Sequence, residues 1–138
     1  MKAIAPVLSA TKRVLYIEDH EDSRYMLTVL LGIAGYEVAT AKTVAGALSL
    51  AMHEQFDLYI LDSRFKDGTG IGLCRQIRAL HPDSPIIFYS SSAYPDDIEA
   101  GMAAGAQHYL IKPGGVYMIE RTIAGLLVEA TEARAYVQ

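Results

Sequence analysis

From Arg13 onward the chain alternates between two hydrophobic periods. Three short apolar runs have the character of strands buried on both faces: Val14-Leu15-Tyr16-Ile17, Leu58-Tyr59-Ile60-Leu61 and Ile86-Ile87-Phe88-Tyr89. Tyr36-Glu37-Val38-Ala39-Thr40 alternates polar and apolar, which predicts a more exposed strand, and 107–111 predicts a fifth. The segments between them carry apolar residues three and four apart, the period of a helix with one buried face. His20 to Ala34 places Met26, Leu27, Leu30, Leu31 and Ala34 on such a face and ends at Gly35. Thr43 to Glu54 carries Val44, Ala47, Leu48 and Ala51, and Gly70 to Ala79 carries Ile71, Cys74 and Ile77. Pro95 to Ala104 predicts a helix weakened by Gly101 and followed by Gly105. From Val116 a last helix aligns Val116, Ile119, Ile123, Leu126 and Leu127.

Strands and helices in strict alternation imply an α/β domain, a parallel sheet with helices on both faces. Right-handed crossovers leave few arrangements, and the doubly wound order 2-1-3-4-5 sets the first and third strands side by side. The expected division is an N-terminal extension over 1–12, one domain over 13–130 and a C-terminal helical tail over 131–138.

Composition narrows the function classes. At 138 residues and 15.0 kDa, with 51% hydrophobic and 20% charged residues, the chain has enough apolar content for one buried core. A net charge of −4 argues against a nucleic-acid surface, which needs a clustered basic face. No apolar run approaches the roughly 18 residues of a membrane span, and the opening decapeptide is too short for a secretory signal. The single cysteine, Cys74, allows no internal disulfide and suits a reducing compartment, so a cytoplasmic location is expected. The histidines, His20, His53, His81 and His108, lack metal-ligand spacing and are expected at the surface.

The chemistry gathers where the strands end. Leu58 to Leu61 breaks at Asp62 into the polar, glycine-rich SRFKDGTG, which places a carboxylate at the carboxyl edge of a central strand. In open α/β sheets that edge is where ligands bind. The first strand ends at Glu18-Asp19, the fourth at Ser90 and the fifth at Lys112-Pro113. Clustered carboxylates repel one another by about 4 kcal/mol at 4 Å and an effective dielectric near 20. A hard divalent cation such as Mg²⁺ offsets that repulsion and keeps waters for a phosphate to replace. A carboxylate beside Mg²⁺ and a lysine suits the acceptance of a phosphoryl group as an acyl phosphate, chemistry that asks for positioning and charge neutralisation more than for a general base.

In order and spacing, VLYIED, YILDSR…DGTG, IIFYSSSAY and AGAQHYLIKP resemble the receiver domain of bacterial response regulators, over most of the chain from Arg13 to about Leu127. That resemblance implies a flavodoxin-like (βα)5 receiver fold, Asp62 as the phosphorylated residue and Glu18 and Asp19 as the acidic pair holding Mg²⁺ with it. The backbone carbonyl of Arg64 would complete the metal shell, and Lys112, with a cis bond to Pro113, would approach the phosphoryl oxygens. Ser90 would be the switch hydroxyl and Tyr109 the switch aromatic, with Arg64 and Ser92 tuning the acyl-phosphate lifetime. The implied function is a signalling switch, a stand-alone response regulator. A histidine kinase or phosphotransfer protein would supply the phosphoryl group. A target protein would meet the face of the fourth helix, fifth strand and fifth helix, and a second copy is a further candidate through the long final helix. No nucleic acid or membrane partner is expected. Lys66 stands where the family has proline, Glu18 where aspartate is commoner, and Gly114-Gly115 where the last helix often begins, which predicts a loose loop after Asp62 and a late helix start.

Two rival functions share these residues. A degenerate receiver would act as a phosphate-independent interaction module, which the intact Asp62, acidic pair and Lys112 speak against. A phosphatase on the same fold would need a general acid, for which Asp67 is the nearest candidate.

Overall fold

The computed structural model describes residues 11–137; the expected extension over 1–12 lies mostly outside them. The chain forms β1 (Arg13–Ile17), α1 (Glu21–Ile33), β2 (Glu37–Ala41), α2 (Val44–His53) and β3 (Leu58–Leu61). It continues as two short strands, β4 (Arg64–Phe65) and β5 (Gly68–Thr69), then α3 (Gly70–Leu80), β6 (Ile86–Ser90), α4 (Pro95–Ala103), β7 (His108–Ile111) and α5 (Val116–Val137). The main sheet is parallel in the order β2-β1-β3-β6-β7, the doubly wound order expected once the inserted hairpin is set aside.

Every residue of β3 and β6 is buried, because helices cover both faces of the sheet. Alternate strand residues feed two cores. Leu15, Ile17, Tyr59, Leu61 and Phe88 pack against α2, α3 and α4, whereas Val14, Tyr16, Leu58, Ile60 and Ile87 pack against α1 and α5. Thr43 caps α2 by accepting from the Gly46 N–H, and Thr69 caps α3 by accepting from Gly72. The 22-residue α5 runs without a break through the boundary expected near residue 131, and it starts at Val116 after the two glycines, late as anticipated.

Three expectations need correction. The loop after Asp62 is not loose: Arg64–Phe65 pairs antiparallel with Gly68–Thr69, and Asp67 at its turn accepts from the N–H groups of Val44 (2.8 Å) and Ala45 (2.9 Å). Lys66 therefore sits in a hairpin tethered to the start of α2. The buried face of α1 is narrower than its apolar spacing, with Leu27 and Leu31 inside and Met26, Leu30 and Ala34 exposed. Finally, His81 is half-buried, its Nε2 2.8 Å from the Ala51 carbonyl oxygen.

Candidate functional site

β1 and β3 are hydrogen-bonded neighbours with Ile17 opposite Leu61, so the residues that follow them leave the sheet at the same level. The backbone holds this edge firmly, since Glu18 N–H donates to the Ala41 carbonyl and Asp62 N–H to the Ile17 carbonyl. Glycine at position 70 permits the next close approach. A Cβ there would overlap the Asp62 carbonyl and lie 3.0 Å from Ser63 Cα, so no side chain fits beneath the loop that follows β3.

Carboxylate oxygens of Glu18, Asp19 and Asp62 all lie within 4.8 Å of one another. Lys112 Nζ reaches in from the end of β7 and donates to Glu18 Oε1 (2.5 Å) and Asp62 Oδ2 (3.2 Å). Its peptide bond to Pro113 is cis, as the resemblance implied. Asp62 Oδ1 accepts from the Ser63 N–H at 2.7 Å. Glu18 is only 1% exposed, and its remaining lone pairs take the Tyr16 hydroxyl (3.1 Å) and the His20 N–H (3.1 Å). Asp19 is exposed.

Three carboxylates thus face one ammonium, a surplus of two negative charges in a partly enclosed site. Burial pushes the Glu18 carboxyl above its usual range; the Lys112 bond opposes this and the Asp62 charge adds to it. Burial alone would depress the Lys112 ammonium, but Glu18 and Asp62 outweigh it and raise its pKa. A donor set made only of carboxylate oxygens, with uncompensated negative charge, fits a hard divalent cation.

Beside the carboxylates lies a second group of polar side chains. Ser90, 1% exposed, accepts at Oγ from the Ser63 hydroxyl (2.5 Å) and from the Ser92 N–H (3.0 Å). The Tyr109 hydroxyl donates to the Ser92 carbonyl (2.7 Å), and its ring stacks on Phe88 with centroids 5.3 Å apart. Gly101, expected only to weaken α4, makes room for that ring: a Cβ would come within 2.9 Å of Tyr109 Cδ2. Ser63, which carries no distinguishing signal within the polar stretch after Asp62, is the residue joining the two groups. The Arg64 side chain is exposed.

Asp67, the general-acid candidate of the phosphatase reading, is committed elsewhere. The N–H bonds from Ala45 and then Val44 hold its carboxyl below the usual range, the wrong direction for an acid. Exposed large apolar residues lie on α1, at Tyr25, Met26, Val29, Leu30 and Ile33, and also on and beside α4 and α5, at Tyr94, Met102, Tyr117, Met118 and Val128. No helix among the described residues is long and apolar enough to cross a membrane.

A doubly wound sheet with an acidic cluster and a lysine at its carboxyl edge defines a receiver-type domain. The model of the response regulator receiver domain matches residues 14–124, and the chain belongs to that family. It is 37% identical over 101 residues to the transcriptional regulatory protein PrrA of Mycobacterium tuberculosis, covering 73% of this chain and 43% of that one. With the response regulator protein PilR of Pseudomonas aeruginosa it shares 29% identity over 116 residues, 84% of this chain and 26% of that one. The chain thus spans less than half of either relative. Among solved structures, a CheY-like receiver domain from Methanospirillum hungatei superposes with a TM-score of 0.85 at 26% identity, over 90% of this chain and 99% of that one. The Thermotoga maritima response regulator TrrA, solved with Mg²⁺ and BeF, gives 0.76 at 28% identity over 84% and 99%.

Proposed function

We propose that this chain is a phosphorylation-controlled signalling switch in which Asp62 accepts a phosphoryl group from the phosphohistidine of a histidine kinase or phosphotransfer protein. The observation that carries this reading is the meeting of Glu18, Asp19 and Asp62 within 4.8 Å, with Lys112 bonded to the first and last of them. An Asp62 carboxylate oxygen forms the new bond to phosphorus as the bond to the imidazole nitrogen breaks, and the ring keeps the electron pair. Mg²⁺ held by Glu18, Asp19, Asp62 and the Arg64 carbonyl would supply charge neutralisation for the phosphoryl oxygens. Glu18 orients Lys112 through their mutual bond and, being buried, holds it at the site rather than in solvent.

Ser90 and Lys112 are the groups placed to donate to the bound phosphoryl oxygens. Ser90 is tied to Ser92 and through it to Tyr109, so drawing Ser90 toward Asp62 perturbs the loop after β6 and the face built from α4, β7 and α5. That face is the proposed contact for a target protein, in a cytoplasmic setting. Ser92 and Arg64, the positions proposed to set the acyl-phosphate lifetime, both line the cleft beside Tyr109.

Incubation with acetyl phosphate and Mg²⁺, followed by intact-mass measurement, tests the assignment. One added phosphoryl group is expected on the wild type, none without Mg²⁺ and none on Asp62→Asn. Labelling of Asp62→Asn to the wild-type extent would overturn it.

A further inference from the structure

We propose that Ser63 is a positioning residue that couples Ser90 to Tyr109, with a hydroxyl proton shared between the two switch side chains. Its significance for signalling rests on Asp62 being the phosphoryl acceptor; the coupling itself stands on geometry. Four groups close a ring. Ser63 donates to Ser90 Oγ at 2.5 Å, Ser92 N–H donates to the same oxygen at 3.0 Å, Tyr109 donates to the Ser92 carbonyl at 2.7 Å, and the Ser63 and Tyr109 hydroxyls stand 3.3 Å apart.

Each hydroxyl carries one proton. That of Tyr109 is spent on the Ser92 carbonyl, which can only accept, so the bond between Tyr109 and Ser63 must take its proton from Ser63. Ser63 therefore has one proton and two claimants. When Ser63 donates to Ser90, the Ser90 proton is free to turn toward an oxygen on Asp62. When Ser90 instead donates to Ser63, the Ser63 proton goes to Tyr109 and the chain Ser90-Ser63-Tyr109-Ser92 runs in one direction, each bond reinforcing the next. A phosphoryl group that draws the Ser90 proton selects the first arrangement and withdraws the bond from Tyr109.

The backbone keeps Ser63 where this exchange needs it. Its N–H donates to Asp62 Oδ1 (2.7 Å) and its carbonyl accepts from the Gly70 N–H (2.8 Å), so the residue is fastened to the acceptor on one side and to α3 on the other. Its hydroxyl, Ser92, Tyr109 and Phe65 share the wall of one open cleft, which leaves the phenol free to respond. A serine acting only as a turn former would not place its oxygen against both switch side chains.

Tyrosine labelled with ¹³C at Cζ reports the hydrogen bonding of each phenol, and the Tyr109 resonance is the one lost in Tyr109→Phe. In the ligand-free protein, Ser63→Ala and Ser90→Ala each shift that resonance, and the double variant shifts it no further than Ser63→Ala, since the ring is already broken. With Mg²⁺ and beryllofluoride, the wild-type Tyr109 resonance moves. In Ser63→Ala the movement falls below about half while the ¹⁹F signal of bound beryllofluoride persists, and Ser63→Thr, which retains the hydroxyl, restores it. An unshifted Tyr109 in ligand-free Ser63→Ala, or a full response to beryllofluoride in that variant, overturns the proposal. A wild type that fails to take up beryllofluoride refutes the phosphoryl-acceptor reading instead, and the ligand-free comparison then decides the role of Ser63 alone.

Discussion

Strand β1 has a cation between two carboxylates at each end, yet the two ends do opposite work. At its start Arg13 pairs with Glu37 (2.8 Å) and Glu54 (2.9 Å), its guanidinium lies 4.7 Å from the Phe56 ring centroid, and its N–H donates to Asp57. The Glu37 and Glu54 side chains there are 58% and 42% exposed, so water screens each charge and little energy is at stake. At its end Lys112 pairs with Glu18 and Asp62, whose side chains are 1% and 17% exposed, and Asp19 adds a further negative charge within reach. An ion pair alone marks neither end as a site. What separates them is burial: both ends have more carboxylates than cations, but only at the Lys112 end is the surplus charge shielded from water, where a divalent cation from solution would offset it.

The largest expected effect comes from removing the buried cation. Lys112→Ala leaves Glu18 and Asp62 without their partner, and breaking a buried pair costs about 3–5 kcal/mol. The urea midpoint should fall accordingly, and Mg²⁺ should recover part of the loss. Arg13→Ala, at the exposed end, should move the midpoint far less and respond to Mg²⁺ no more than the wild type does. Equal losses in the two variants would erase the distinction drawn between the ends.

The smallest effect concerns Asp67, which stands near the charged end but serves the fold. Its carboxyl is held below its unfolded value by the Ala45 and Val44 N–H groups. The bonded carboxylate therefore contributes stability above the unfolded pKa, near 3.8, and loses it as pH falls through the lower folded value. Asp67→Ala should be less stable than the wild type at neutral pH, with the gap closing as acid is added. A gap that stays constant with pH would mean the α2 cap does not depend on the charge.

Much of this was legible in the residues alone, for reasons that differ by element. β3 and β6 are apolar without interruption because both their faces are covered, and Asp62 and Ser90 stand out as the points where that pattern stops or is about to. Right-handed crossovers leave few strand orders, and 2-1-3-4-5 is the one that sets the first and third strands side by side, as a meeting of Glu18, Asp19, Asp62 and Lys112 requires. The β4–β5 hairpin escaped because each strand has two residues, too few to show a period. Met26 and Leu30 have the spacing of a buried face but extend past what the sheet and α5 cover, which periodicity cannot register. Ser63 was hidden for a different reason: a serine two residues beyond a strand has the local signature of a turn, and its contacts lie 27 and 46 positions away. Gly101 likewise reads as a helix weakness until the Tyr109 ring is seen against it.

Calorimetric titration with Mg²⁺ tests the central claim most directly, because the surplus charge at the carboxyl edge demands a cation whether or not phosphate is present. The wild type should bind one ion per chain, Asp62→Asn and Asp19→Asn should each weaken that binding sharply, and Arg13→Ala should leave it unchanged. Wild-type protein that takes up no Mg²⁺, or an Asp62→Asn variant that binds it as tightly as the wild type, would contradict the account.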